Sequence, residues 1–223
     1  MDHRIELTER DLSPQLRRVS LLFLLAGVLF LGLILNPLII GYFDAARPYD
    51  EGLAFVRDHL TALRWVFTGI GLVDLLLGAS LWLWGNQVRK TVSGGQATAA
   101  TVAAWAGLWG GVAGLAGRLR LAWFRSVEDL VFTGGMRFDV WEFVFLTAML
   151  AATTAFVIFG ILMIRGSMPT WLGIVLIACG FLPYVGFLPM WYYVGAIVLG
   201  ITNLVRFRET SSTATGRQPT TTV

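Results

Sequence analysis

The chain predicts an all-α fold, a polytopic membrane protein with six transmembrane helices in a bundle, and three observations carry that expectation. Of 223 residues, 56% are hydrophobic and only 14% charged, with a mean hydropathy of +0.70, which is too apolar for an ordinary soluble domain. The apolar residues are gathered into long runs separated by short polar segments, and the basic residues sit at the ends of those runs. One run, Trp65–Gly85, is long enough to cross a bilayer yet holds a single carboxylate, Asp74, near its middle.

Residues 1–18 mix both charges and end in Arg17-Arg18, which reads as a cytoplasmic tail. The run from Val19 to Phe43 exceeds the apolar core of a signal peptide, and Asp44 before Ala45-Ala46 spoils a cleavage site. An uncleaved first span over about 20–41 follows, with a kink at Asn36-Pro37. Residues 42–64 form a first loop, in which Leu53, Val56, Leu60 and Leu63 repeat at helical spacing. They predict an interfacial helix leading into the second span, or a lid over a cavity that contains Asp74.

The second span covers about 65–85. At the helical rise Asp74 lies about 13 Å below Trp65, close to the centre of the hydrocarbon core. A carboxylate there must face protein or a wet cavity. Gly71, Asp74, Gly78, Trp82 and Gly85 share one side of the helix, so the acid lies on the stripe of small residues that lets another helix come close. After the polar turn at 86–96 comes the third span, about 97–117. Its Gly107, Gly110, Gly111, Gly114 and Gly117 form overlapping GxxxG pairs, which make it the best mate for the Asp74 stripe.

From Arg118 the apolar run gives way to a second outer loop that carries Arg120. Long arginine side chains at that place either snorkel to the headgroups or reach down to a buried acid. Trp141 opens the fourth span, about 141–164, with Glu142 at its outer edge. Residues 166–205 carry no charge, and at 40 residues they are too long for one span. Pro183 and Pro189 divide them into a fifth span, about 170–185, and a sixth, about 188–205. The Ser- and Thr-rich segment 206–223 reads as a disordered cytoplasmic tail.

With both termini cytoplasmic, ten of the 17 basic residues fall on the inner side, and most of the acids, from Asp44 to Glu142, fall on the outer side. The net charge of +3 does not gather into a patch that would track phosphates, so nucleic acid is not an expected partner. One cysteine, Cys179, excludes an internal disulfide and a cysteine-rich metal site, and two histidines, His3 and His59, leave no imidazole pair for a haem. The chain has no GxSxG elbow, phosphate loop or HExxH motif, so neither a metal nor a cofactor is expected.

The candidate polar-core or ligand residues are therefore Asp74, Arg118, Arg120 and Glu142, and the helix-packing residues are Gly71, Gly78, Gly107, Gly110, Gly111 and Gly114. Asp74 either bonds to a polar side chain of a facing helix and locks the bundle, or handles a ligand, an ion or a proton.

The segments FVIFGILMIRGSMPTWLGIVLIACGF (156–181) and RWVFTGIGLVDLLLGASLWLW (64–84) resemble a family of uncharacterised bacterial multi-span proteins known as a domain of unknown function. The resemblance implies a bacterial cytoplasmic-membrane protein and carries over no functional residue. Two function classes follow. One is a non-catalytic module, either an accessory subunit of a larger membrane complex or homo-oligomer, or a small binding or transport unit. The other is an intramembrane enzyme in which Asp74 or Glu142 serves as general acid on a lipid or prenyl substrate. An enzyme predicts a cavity that reaches the acid and is lined by further polar groups, whereas a packing subunit predicts Asp74 sealed by its neighbours with no room beside it.

Overall fold

The structure, a computed structural model, describes residues 9–44, 46–131, 140–166, 168–186 and 190–215. Within these, the side chains at 9–14, 129, 140–142, 185–186 and 206–215 are not described. Among the described residues every regular element is a helix: α1 (Glu9–Ile34), α2 (Pro37–Tyr42), α3 (Tyr49–Thr91), α4 (Gly95–Trp123), α5 (Val127–Leu130), α6 (Val140–Arg165), α7 (Thr170–Gly186) and α8 (Met190–Thr215). Four of them, α1, α3, α4 and α6, contain stretches long and apolar enough to cross a membrane, and α7 and α8 contain shorter apolar stretches.

Several boundaries differ from the sequence expectation for local reasons. At Asn36-Pro37 the chain stops and restarts rather than kinking. Asn36 is extended (φ −60°, ψ 129°), as a residue before proline prefers, and its Oδ1 accepts from Leu38 N at 2.9 Å, which caps α2 with Pro37 in its first turn. The expected interfacial helix and second span are one uninterrupted helix, α3, of 43 residues and about 64 Å. No proline interrupts it, and the apolar face of Val56 and Leu63 stays buried beyond the spanning run. Likewise α4 does not end at Gly117 but continues to Trp123, so Arg118 and Arg120 are helical residues and not loop residues. Nothing in Arg118–Trp123 breaks a helix, and cations near a helix C-terminus complement its dipole.

Pro183 lies inside α7, within the expected fifth span, where one lost hydrogen bond in the last turn is tolerated, and α8 starts at Met190. The helices α1 and α8 also extend into both expected tails, starting at Glu9 and ending at Thr215. Between α3 and α4 the turn is short, and Gly94 reverses the chain at φ +57°.

The six long helices form a closed ring: α3 packs on α4, α4 on α6, α6 on α7, α7 on α8, α8 on α1, and α1 on α3. Neighbours run antiparallel. Along α3 and α4, Gly71 meets Leu115 and Arg118, Gly78 meets Gly107 and Gly111, and Gly85 meets Ala104. Along α1 and α8, Gly27 meets Ile197 and Tyr193, and Gly200 meets Ser20 and Leu24. The short helices α2 and α5 sit together at one end, where Tyr42 Oη donates to Leu130 O at 2.7 Å and Arg57 pairs with Glu128 at 3.5 Å. Towards the opposite end the ring is filled by Phe23, Trp84 and Phe159, with centroid separations of 6.1 and 4.6 Å. Leu21, Leu25, Val28, Trp105, Trp109, Val112, Leu150 and Ile174 face outward, as the outside of a membrane bundle requires.

Candidate functional site

Asp74 stands on α3 against a bare stretch of α4. A Cβ placed on Gly114 would lie 3.0 Å from Asp74 Cβ and 3.1 Å from its Oδ2, so any larger residue there would push the carboxylate aside by a few tenths of an ångström. One turn further along α4, Arg118 leans back on the α3 backbone at Gly71, where an added Cβ would come within 2.9 Å of Arg118 Cβ. Each member of the pair thus lies over a glycine of the opposite helix. Arg118 Nε and Asp74 Oδ2 are 3.6 Å apart, and both side chains are largely but not fully covered, 13% and 15% exposed.

A third helix closes the site. Tyr193, near the start of α8, donates its hydroxyl hydrogen to Asp74 Oδ1 and is fully buried. Its ring is held by Phe30 of α1, stacked 3.7 Å away with planes 5° apart. Four helices therefore place one carboxylate, and each of its oxygens faces a different partner. The guanidinium group also lies over the Phe145 ring of α6, with Cζ 5.3 Å from the centroid. Arg118 Nε makes no direct hydrogen bond, since 3.6 Å is an ion-pair distance and not a bonding one. A water molecule beside the pair would supply the bond that Arg118 Nε lacks.

Such water has room. A cavity of about 40 Å³, measured at the positions water centres can occupy, is bordered by Asp74, Arg118, Tyr192, Tyr193, Phe145 and the α4 glycines. That is space for a few water molecules, next to an acid, a guanidinium group and two phenols that can bind them. The chain matches no family model, no curated protein and no solved structure.

Of the sequence candidates, the structure brings Asp74 and Arg118 together. Arg120, two residues on, is half-buried and does not border the cavity. The side chain of Glu142 lies outside the described residues. Gly71, Gly78, Gly107, Gly111 and Gly114 all lie in the α3–α4 contact, whereas Gly110 turns to α6, where a Cβ would meet Ala148 O at 3.2 Å. Among the described residues no three His, Cys, Asp or Glu side chains gather. Sequence reasoning missed Tyr192 and Tyr193. The one available signal was a pair of phenols in an otherwise apolar, uncharged run.

Near α2 and α5, Tyr42 is 8% exposed, and burial pushes its phenol up to about 12 despite the opposing pull of Arg125 and Arg118. The α2–α5 end thus seals a neutral hydroxyl onto the α5 backbone a short way from the ion pair.

Proposed function

We propose that this is a non-catalytic integral membrane protein of six spans with both termini cytoplasmic, working as a small binding or transport module with a hydrated Asp74–Arg118–Tyr193 site. The ring closure supports the two additional spans. The apolar parts of α7 and α8, Thr170–Tyr184 and Met190–Val205, are only about 22–24 Å long, yet they complete the ring on the same footing as the four longer helices. Residue resemblance to bacterial multi-span proteins supports a bacterial cell membrane, with the bilayer as the main partner.

The single observation that carries the functional reading is the cavity beside the ion pair. A purely structural lock needs no space next to its charges, and a long prenyl or acyl substrate needs more than room for a few waters. The site suits a proton or a water-sized species, held against a carboxylate whose own charge is balanced by a guanidinium group.

Infrared spectroscopy of the protein in lipid tests this reading. The guanidinium bands of Arg118, isolated by difference against Arg118→Gln, are expected to shift within minutes of transfer to heavy water. Bands that stay unexchanged for hours would mean a sealed structural pair and end the proposal. For topology, single cysteines replacing Ser93 and Leu188 in a protein lacking Cys179 are expected to react with an impermeant thiol reagent from opposite sides. Reaction from one side only would remove the last two spans.

A further inference from the structure

A group of hydrogen-bonded hydroxyls reaches the cavity through Tyr192. Thr153 Oγ1 on α6 lies 3.1 Å from Tyr184 Oη and 3.0 Å from Gly180 O, both on α7, and 2.9 Å from Tyr192 Oη on α8. Tyr192 borders the cavity and donates to Met149 O at 3.0 Å. Tyr184 is half-buried two residues before α7 ends, at the end of the ring that α2 and α5 occupy. Thr153 Oγ1 thus joins two phenols into one hydrogen-bonded group, and the Tyr192 end of it reaches the water-sized space that Asp74 and Tyr193 also border.

We propose that Tyr184, Thr153 and Tyr192 form a proton path to the Asp74 site, and that the cargo of the site is a proton. This rests on the hydrated-site reading above. Each hydroxyl both donates and accepts, which is what a relay requires. In one transfer Tyr184 receives a proton and passes its own to Thr153, Thr153 passes its own to Tyr192, and Tyr192 passes its own to a cavity water. That water then protonates Asp74. One proton enters, one is bound, and no other bond changes. Thr153, which donates towards Tyr184 and Gly180 O, must first turn its hydroxyl to Tyr192, and Tyr192 must turn its own from Met149 O into the cavity, each a rotation about one C–O bond.

Other cargoes fit less well. Among the described residues a metal cation would find one carboxylate at the cavity and no second charged ligand, and an anion would meet Asp74.

The test uses the full chain in lipid and the heavy-water exchange of the Arg118 bands. Thr153→Val keeps the shape of the side chain and removes the hydroxyl, so it is expected to slow exchange by about a hundredfold. Tyr192→Phe should do the same, and Thr153→Ser should restore the wild-type rate. A packing defect would act with the opposite sign, since a loosened bundle exchanges faster. Unchanged or faster exchange in both hydroxyl-deletion variants would overturn the path while leaving the hydrated site standing. Absence of exchange in the unaltered protein would remove the hydrated site itself.

Discussion

Gly78 and Gly111 touch through their backbones. A Cβ on Gly78 would sit 2.8 Å from Gly111 Cα and 2.7 Å from Gly107 O, and a Cβ on Gly111 would sit 2.9 Å from Gly78 Cα. The obstructing atoms are main chain and cannot rotate away, so an added methyl must push α3 and α4 apart. Asp74 lies one turn from Gly78 and Arg118 two turns from Gly111, so the separation of the pair is governed by the same helix contact.

Gly78→Ala is therefore expected to destabilise the bundle by about 1–3 kcal/mol, read as a lower midpoint of thermal unfolding in detergent. Gly32 on α1 is the control, because nothing lies within 4 Å of a Cβ placed there. Gly32→Ala should be neutral or slightly stabilising, as alanine favours helix over glycine. Equal effects at both positions would contradict the close approach.

Asp74→Leu leaves the Arg118 charge buried without its partner and should cost about 3–5 kcal/mol, with Arg118→Leu similar. The double variant Asp74→Leu with Arg118→Leu should cost clearly less than the two singles together, since neither charge is then stranded. Asp74→Asn keeps a polar acceptor for Tyr193 and should fall between wild type and Asp74→Leu. The readout is unfolding by a graded denaturing detergent, and strict additivity of the singles would argue against the ion pair.

Tyr193→Phe retains the stack on Phe30 and removes only the hydroxyl that donates to Asp74. A hydrogen bond to a charged group contributes about 1.5–3 kcal/mol, so a loss of that size is expected in the same unfolding assay. A loss near zero would mean that Asp74 finds an equal donor in the cavity water.

Tyr42 predicts an alkaline transition. Its folded value is pushed up to about 12 from an ordinary 10, so the folded state holds the phenolic proton more tightly than the unfolded chain does. The associated stability is present in full below pH 10 and is lost as pH rises from 10 towards 12, by about 3 kcal/mol at most. Tyr42→Phe should lose the Leu130 hydrogen bond at neutral pH but show a shallower decline over that alkaline window. Parallel pH profiles for the two proteins would refute the assignment.

The helical, apolar character of the chain was legible because hydropathy accumulates along a segment and needs no knowledge of neighbours. The importance of Asp74 was legible for the same reason, as a carboxylate within a spanning run is costly wherever the run goes. Glycines at intervals of three and four on α3 and α4 marked the surfaces that meet, because a small-residue stripe is a property of one helix. Helix ends were less legible: α3 runs through the expected boundary before Trp65 and α4 through the one at Arg118, since charge alone does not stop a helix.

By itself, then, the sequence determined that this protein is a helical bundle of membrane character with one exceptional acid facing a glycine-rich neighbour. Only the tertiary structure decided what that acid meets. Tyr193 lies 119 residues away along the chain, in a run with no charge to single it out, and it reaches Asp74 because α8 closes the ring against α1 and carries its phenol inward. Arg118 could equally have pointed to the headgroups; the missing side chains at Gly71 and Gly114 open the space in which it turns back to the carboxylate. Local composition reports what each segment can bury, but the pairing of buried polar groups depends on which helices become neighbours.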